Sequence, residues 1–384
     1  MTRQQLVARA AEMGTSFAGR ATKYDAEASF PYDDFAELRD AGFLALCVPE
    51  HFGGLGADFA TYCRVANEIG RHAPATALAF NMHCVTMLLT GQIADDLTWT
   101  DGERQILEDR RRVLYAGVVE QGTLHSQPFS EGNAPGATAG FSTRAEPVEG
   151  GYRISGRKIF ASLSEAADVH NIVAMVPGDH RVRFLGLPAN ADGMHIEGDW
   201  DPVGMRATLS RTLVFDNVFV PLANEWLPPG GFDQAATRWP HFYLTLSFSY
   251  LGLMRGVLDH TLAYLLRSGR QDHPIKQQGW AQLQLRYEQA LALQHAAVDE
   301  AGVDPTPDQL RRAWTSLITV MEGAPDMAST ALRVAGGRAL LKPEPLERLY
   351  RDARCGATML PWSVEVCLER LGRFGLTDES EAPA

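Results

Sequence analysis

The sequence predicts an α+β multidomain protein: an all-α N-terminal domain over residues 1–113, a middle antiparallel β-barrel or sandwich over 114–230, and a C-terminal four-helix bundle over 231–384. Three observations predict it. Apolar residues recur at helical spacing up to about Val113, short alternating runs bounded by Gly, Pro and Asp take over at Leu114, and helical spacing returns after Pro228-Pro229-Gly230-Gly231. A chain of 384 residues, 45% hydrophobic and 21% charged, is long enough for two or three such domains and fits a globular composition.

In the N-terminal part the helices are punctuated at Phe30-Pro31 and at the turn-rich stretch Val48 to Gly56; Ala60 to Arg71 and Pro74 to Leu89 resume them. The expected strands are Tyr115 to Glu120, Gly140 to Ala145, Gly151 to Phe160, Val169 to Val176, Arg181 to Leu187 and Thr212 to Val220. A Ser/Pro/Gly/Asn-rich loop between Gly122 and Gly136 is long enough to be functional. The spine of the bundle is Leu251 to Thr261. There Gly252 and Gly256 stand one turn apart for close backbone approach, with Leu253, Val257 and Leu258 forming the apolar stripe. Breaks at Asp304-Pro305-Thr306-Pro307 and Gly336-Gly337 divide the rest.

Composition narrows the function. A net charge of −12, with no run of Lys and Arg among aromatics, opposes nucleic-acid binding. Charges interrupt every apolar run short of a membrane span, and Met1 to Leu6 opens into a helical pattern without the apolar core of a secretory signal, so a cytoplasmic protein is expected. The five cysteines lack metal-ligand spacing and read as buried reduced thiols.

Five stretches, in order, resemble the acyl-CoA dehydrogenase family. Gly42-Phe43 with Val48-Pro49-Glu50-His51-Phe52-Gly53-Gly54-Leu55-Gly56 is similar to its N-terminal signature, and Ile154 to Ser162 to its strand Ile-x-Gly-x-Lys-x-Trp-Ile-Thr. Gly204-Met205-Arg206 and Val214 to Pro221 are similar to its domain-closing strand. Ala335-Gly336-Gly337, with Leu349 to Arg354, resembles its Phe-Gly-Gly and Arg-Asp-Ala-Lys elements.

The resemblance implies FAD held between the β-domain and the bundle, a small-molecule substrate such as an acyl-CoA against the flavin ring, and a homodimer or homotetramer. It implies that Val119, Glu120 and Gly122 lie on the first flavin-contacting strand, that Phe160 is an aromatic wall, and that Ser162 is a hydroxyl beside the ring. Without its flanking motif Phe160 would read as a strand core residue. Gly336 and Gly337 are implied to admit the adenine half, usually from a neighbouring subunit. The family's phosphate-contacting Arg falls on Ser268, with Arg267 and Arg270 beside it, and FMN is held in reserve.

The departures point to the chemistry. Counted from the matching motifs, the catalytic Glu of a family dehydrogenase falls on Leu360 or, in the isovaleryl-type arrangement, on Phe242; neither can accept a proton, and Tyr243 stands where an acyl-CoA-associated Arg often lies. Relatives of this fold lacking the Glu include oxygenases that use reduced flavin and O2, which need a dry pocket and hydrogen-bond donors rather than a strong base. The candidate catalytic side chains are His83, Tyr243 and Ser247, with His241 and Tyr250 behind them, each with an ordinary core role as its alternative. The expected function is therefore a flavin-dependent oxygenase or oxidase acting on a specialised substrate, including a cyclic or aromatic acyl thioester, with O2 or an electron-transfer or reductase partner. The alternatives are an α,β-dehydrogenase whose base has moved to Glu120 or Glu365, and a non-catalytic flavin-binding subunit.

Overall fold

The computed structural model describes residues 1–132, 141–342, 344–374 and 376. The expected strand start at Gly140 and the end of the expected loop at Gly136 lie outside these residues. The N-terminal helices are α1 (Arg3–Glu27), α2 (Tyr32–Asp40), α3 (Phe59–His72), α4 (Pro74–Leu88), the short α5 (Ala94–Asp96) and α6 (Asp101–Gln121). Their starts are written in the sequence: Thr2 with Gln5 and Thr100 with Glu103 close capping boxes on α1 and α6, and the Asp58 carboxylate accepts from Thr61 N–H at 2.7 Å to cap α3.

Helix α4 is mostly apolar, with no polar face, and nearly all of it is buried, as a central helix must be. Together with α5 it forms a 23-residue stretch, Pro74–Asp96, long and apolar enough to cross a membrane, contrary to the expectation that no run reaches that length; its apolar window is 89% buried inside the protein. The helix breaks at Gly91 (φ −98°, ψ −114°), and the buried Arg111 of α6 donates to the freed carbonyls of Thr90 and Gly91 at 2.5 and 3.0 Å.

Helix α6 takes the place of the expected strand at Tyr115 to Glu120. It runs through Val113 and takes in Tyr115 to Glu120, ending at Gly122 in the left-handed conformation (φ 67°). The sheet begins after it, with β1 (His125–Ser126), β2 (Arg144–Val148), β3 (Gly151–Ala161), β4 (Val169–Met175), β5 (Val182–Pro188), β6 (Met194–Glu197) and β7 (Arg211–Pro221). The strand order is β1-β4-β2-β3-β7-β6, with β5 on the other side of β4. Because β1 and β2 run parallel to β4, the sheet is mixed rather than antiparallel throughout. It curls round a core of its own that includes Ile154, Ile172, Leu185, Leu213 and Val218.

The C-terminal block is α7 (Gly231–Arg238), α8 (Thr245–Arg267), α9 (Pro274–Asp299), α10 (Pro307–Ala335), α11 (Pro345–Ala353) and α12 (Val364–Arg373). As the spine reading required, α8 lies backbone to backbone on α3. A Cβ at Gly252 would come within 2.2 Å of the Asn67 carbonyl oxygen, one at Gly256 within 2.5 Å of the Arg71 oxygen, and one at Gly70 within 2.5 Å of the Ser249 oxygen.

Two of the motifs meet at a joint between all three blocks. Arg351 Nη2 pairs with Asp25 of α1 at 2.5 Å, the Asp352 carboxylate accepts the Met205 N–H at 2.6 Å, and Arg206 donates to the Asp25 carbonyl at 2.7 Å. The five cysteines are unpaired, four of them buried.

The α3–α8 contact yields a direct expectation. Gly252→Ala should lower stability by about 1–3 kcal/mol, since backbone cannot yield as a side chain can. Gly323→Ala, whose added methyl meets only the end of Met254 at 3.5 Å, should leave the thermal midpoint nearly unchanged. Equal melting of the two variants would show that the helices do not depend on this close approach.

Candidate functional site

On β3, Lys158 is buried and Ala161 is buried, yet Phe160 between them is 66% exposed with φ 52°. The cause is a register shift against β7 between Lys158 and Ala161, which turns one aromatic out of the sheet. A bulky residue held at positive φ costs about 1–3 kcal/mol, which the neighbours must hold in place. Trp200 packs edge-on against the Phe160 ring (centroids 6.3 Å, 78°) and is fixed through its indole N–H on the Arg206 carbonyl at 2.9 Å. Ser162 follows and lies 2.9 Å from Ser210. Phe160 thus stands open at the end of β3, with Ser162 two residues on.

The segment after β1 is clamped to β3. Both oxygens of Glu131 are spent: Oε1 accepts from Lys158 Nζ at 2.5 Å, Thr143 N at 3.1 Å and Thr143 Oγ1 at 2.6 Å, and Oε2 from Ser142 N at 2.5 Å and Ser142 Oγ at 2.7 Å. Burial alone would raise this carboxyl, but Lys158 and the other donors outweigh it and bring it down to about 2. Ile159 N–H donates to the Ser130 carbonyl at 2.8 Å beside the clamp. Neither Glu131 nor its role was foreseen; the signal was Lys158, which falls in step with the inward-facing Tyr152 and Ile154 of β3 while Arg153 and Arg157 face out, and a cation so placed needs a buried carboxylate.

Strand β1 is held by histidines. His83 accepts the His125 N–H on Nδ1 at 3.1 Å, so its Nε2 carries the proton and donates to the Leu44 carbonyl at 2.7 Å. Both ring nitrogens of this candidate are thereby occupied by backbone. Asn171 donates to the Ser126 carbonyl at 2.8 Å and accepts the Trp226 indole N–H at 2.7 Å, and His170 Nδ1 meets Ser126 Oγ at 2.7 Å. Burial lowers His83 to about 4, His125 to about 3 and His170 to about 4, so all three rings are neutral near pH 7.

The remaining expected residues fall in three places. Val119, Glu120 and Gly122 are on no strand: they end α6, with Val119 and Glu120 facing solvent and the Gly122 carbonyl accepting from Arg39 at 3.3 Å. The sequence Tyr-Ala-Gly-Val-Val has strand composition, but the helix begun at Thr100 carries through it. Arg270 and Gly336 come together: Gly336 has φ 100°, and a Cβ on it would lie 3.6 Å from Arg270 Nη1, with Gly337 next to it and exposed. Arg267 is exposed and pairs with Glu344 at 3.5 Å.

Tyr243 and Ser247 lie inside the bundle. Ser247 Oγ donates to the Leu244 carbonyl at 2.7 Å and accepts from Gln294 at 2.9 Å. Burial raises the Tyr243 phenol well above its usual range. His241 packs edge-on to Trp239, and the Tyr250 hydroxyl donates to Met359 Sδ at 3.6 Å. Phe242 is 3% exposed, within a series of rings that leads from the β1 segment into the bundle: Phe129–Phe232 at 5.2 Å, Phe232–Phe242 at 6.5 Å, Phe242–Tyr243 at 4.0 Å, Tyr243–Trp362 at 5.6 Å and Trp362–Trp314 at 6.4 Å. Leu360 is 54% exposed.

These features fit a flavin. An open aromatic with a hydroxyl two residues on suits the ring, and Gln127 Nε2 and His170 Nε2 are buried next to β1 without a hydrogen-bond partner, as expected where a polar ligand edge docks. A curled mixed sheet between helical blocks, carrying such a face, fits a flavin-type oxidoreductase. Profiles of the acyl-CoA dehydrogenase N-terminal, middle and C-terminal domains match residues 2–94, 128–218 and 230–360, and the chain belongs to that family.

Its relatives divide in chemistry. It is similar to the L-evernosamine nitrososynthase of Micromonospora sp., with 27% identity covering 88% of this chain and 82% of the relative. It is also similar to mitochondrial isovaleryl-CoA dehydrogenase of Arabidopsis thaliana, with 24% identity covering 88% and 82%. Among solved structures, FMN-bound TdsC from Paenibacillus sp. A11-2, a dibenzothiophene monooxygenase, superposes with a TM-score of 0.84 at 22% identity over 99% of both chains.

Two expectations follow from the buried charges. The three histidines resist protons that the unfolded chain takes up near its ordinary value of about 6.5, so the stability they confer is whole above that pH and is lost as pH falls toward about 4. Urea midpoints should therefore decline from pH 7 to 4.5, and His170→Asn should flatten the decline; an unchanged slope would mean the ring is not held neutral. Lys158→Met should cost about 3–5 kcal/mol by stranding Glu131, and adding Glu131→Leu should restore much of it. A double variant no better than the single one would contradict the clamp.

Proposed function

We propose that this chain is a flavin-dependent oxygenase acting on an apolar, ring-bearing substrate. One observation carries the reading: the two positions at which the family keeps its proton-abstracting Glu are Phe242, sealed among aromatic rings, and Leu360, and the buried carboxylate beside β3, Glu131, has both oxygens committed to donors. An α-proton of an acyl thioester needs an ionised base within hydrogen-bond reach, and here none is offered by those positions. The relocated-base alternative gains no support, since Glu120 and Glu365 both face solvent. The nitrososynthase and the dibenzothiophene monooxygenase among the similar proteins support oxygen chemistry on this fold.

A bound reduced flavin supplies two electrons and two protons, so that one atom of O2 enters the substrate and the other leaves as water. The protein's own part is positional. Phe160, braced by Trp200, gives the ring a flat wall; the clamp of Glu131 on Lys158 fixes the segment from β1; and the series from Phe129 to Trp314 excludes water and suits a flat apolar compound. FAD is the proposed flavin, its longer tail reaching the group of Arg267, Arg270, Gly336 and Gly337 in a homodimer or homotetramer. FMN, which the solved relative binds, is the competitor. A reductase or electron-transfer protein supplies the electrons.

The test loads the protein with flavin and mixes it anaerobically with saturated acyl-CoA thioesters of several chain shapes. No flavin bleaching at catalytic rates is expected, whereas supplying reduced flavin with O2 and an aromatic substrate should give oxygen uptake matched to oxygenated product. Rapid anaerobic bleaching by an acyl-CoA, lost on Glu120→Gln or Glu365→Gln, would replace this reading with a dehydrogenase.

A further inference from the structure

Ser162 begins a file of three hydroxyls. Its Oγ lies 2.9 Å from Ser210 Oγ, which lies 2.7 Å from Thr208 Oγ1, and Thr208 Oγ1 donates to the Met205 carbonyl oxygen at 2.9 Å. A carbonyl only accepts, so the last proton in the file is committed inward. Ser210 then gives its proton to Thr208, and Ser162 gives its proton to Ser210. Reversing any link gives up one of the three hydrogen bonds, and Thr208 and Ser210 are 1% and 5% exposed, with no water to replace it. Ser162, which is only half-buried, is left at the open end of the file with lone pairs and no proton to offer.

We infer that Ser210 and Thr208 are positioning residues that fix the polarity of Ser162, so that the proposed flavin site accepts an N–H from its ligand and prefers reduced flavin to oxidised flavin. The inference rests on the flavin reading above and on Ser162 meeting the ring edge. Dihydroflavin carries a proton on N5, the nitrogen at its hydride-accepting edge; oxidised flavin offers a lone pair there, and two facing lone pairs repel. No electron moves in this step, which is a binding preference. Its consequence is that the protein is built to receive a flavin reduced elsewhere, by a separate reductant, rather than one it reduces with its own substrate.

The test titrates FMN and FAD, each oxidised and dithionite-reduced, anaerobically into the full-length protein and into Ser210→Ala and Thr208→Ser, following tryptophan fluorescence, with the midpoint potential of the bound flavin as a second readout. The protein should bind the reduced form at least about tenfold more tightly, the worth of one net hydrogen bond. Ser210→Ala, which frees Ser162 to turn its proton outward, should cut that ratio about tenfold and lower the midpoint by about 30 mV. Thr208→Ser, which keeps the file intact, should hold both. A ratio unchanged by Ser210→Ala, or a preference for oxidised flavin in the unsubstituted protein, overturns the inference while leaving the flavin reading in place. Failure of either flavin to bind in either form overturns both.

Discussion

The buried carboxylate of Glu131, shared between the Lys158 ammonium and the amides and hydroxyls of Ser142 and Thr143, is the constraint on which the site depends. A charge this deep is tolerated only when each lone pair has a donor, so the segment after β1, the start of β2 and the centre of β3 are held to one geometry. The shift of register that turns Phe160 outward occurs just beyond Lys158. An aromatic at positive φ could relax if the strand beneath it could move. The clamp removes that freedom.

The same economy appears where the domains meet. Arg351 and Asp352 read from the sequence as a family motif near the missing Glu, and their side chains go to Asp25 and to the Met205 backbone. Through Met205 and Thr208 this joint reaches the hydroxyl file that ends at Ser162. Helix packing, the turn after β6 and the polarity of the site are thus linked by hydrogen bonds rather than by proximity alone. The histidines do the corresponding work on the other side: His83 ties α4 to β1 as a neutral linker, which explains why an imidazole is buried on this helix.

Much of this was legible in the chain. The Gly252–Gly256 spacing marked a close helix contact, and the alternation of β3 and β7 with the short, mostly buried runs of β4 and β5 marked the sheet. Tyr115 to Glu120 misled because β-branched and aromatic residues suit a strand and a buried helix face alike; the Thr100–Glu103 capping box and Gly122 were the signals that bound one continuous helix. β1 has two residues and β6 four, too few for alternation to show, and nothing in composition says that β1 and β2 run parallel to β4. Glu131 draws Ser142 and Thr143 from ahead of β2 and Lys158 from β3, and no periodicity links these positions, so their convergence belongs to the fold.

The proposed function rests on aromatic and aliphatic side chains, Phe242 and Leu360, standing where a carbon base is expected. A crystal structure with flavin and an aromatic ligand bound tests that claim most directly. The account predicts the ring against Phe160, Ser162 at its N5 edge, and the ligand among Phe129, Phe232 and Phe242 with no carboxylate in hydrogen-bond reach of its carbons. An Asp or Glu poised between ligand and flavin would contradict it.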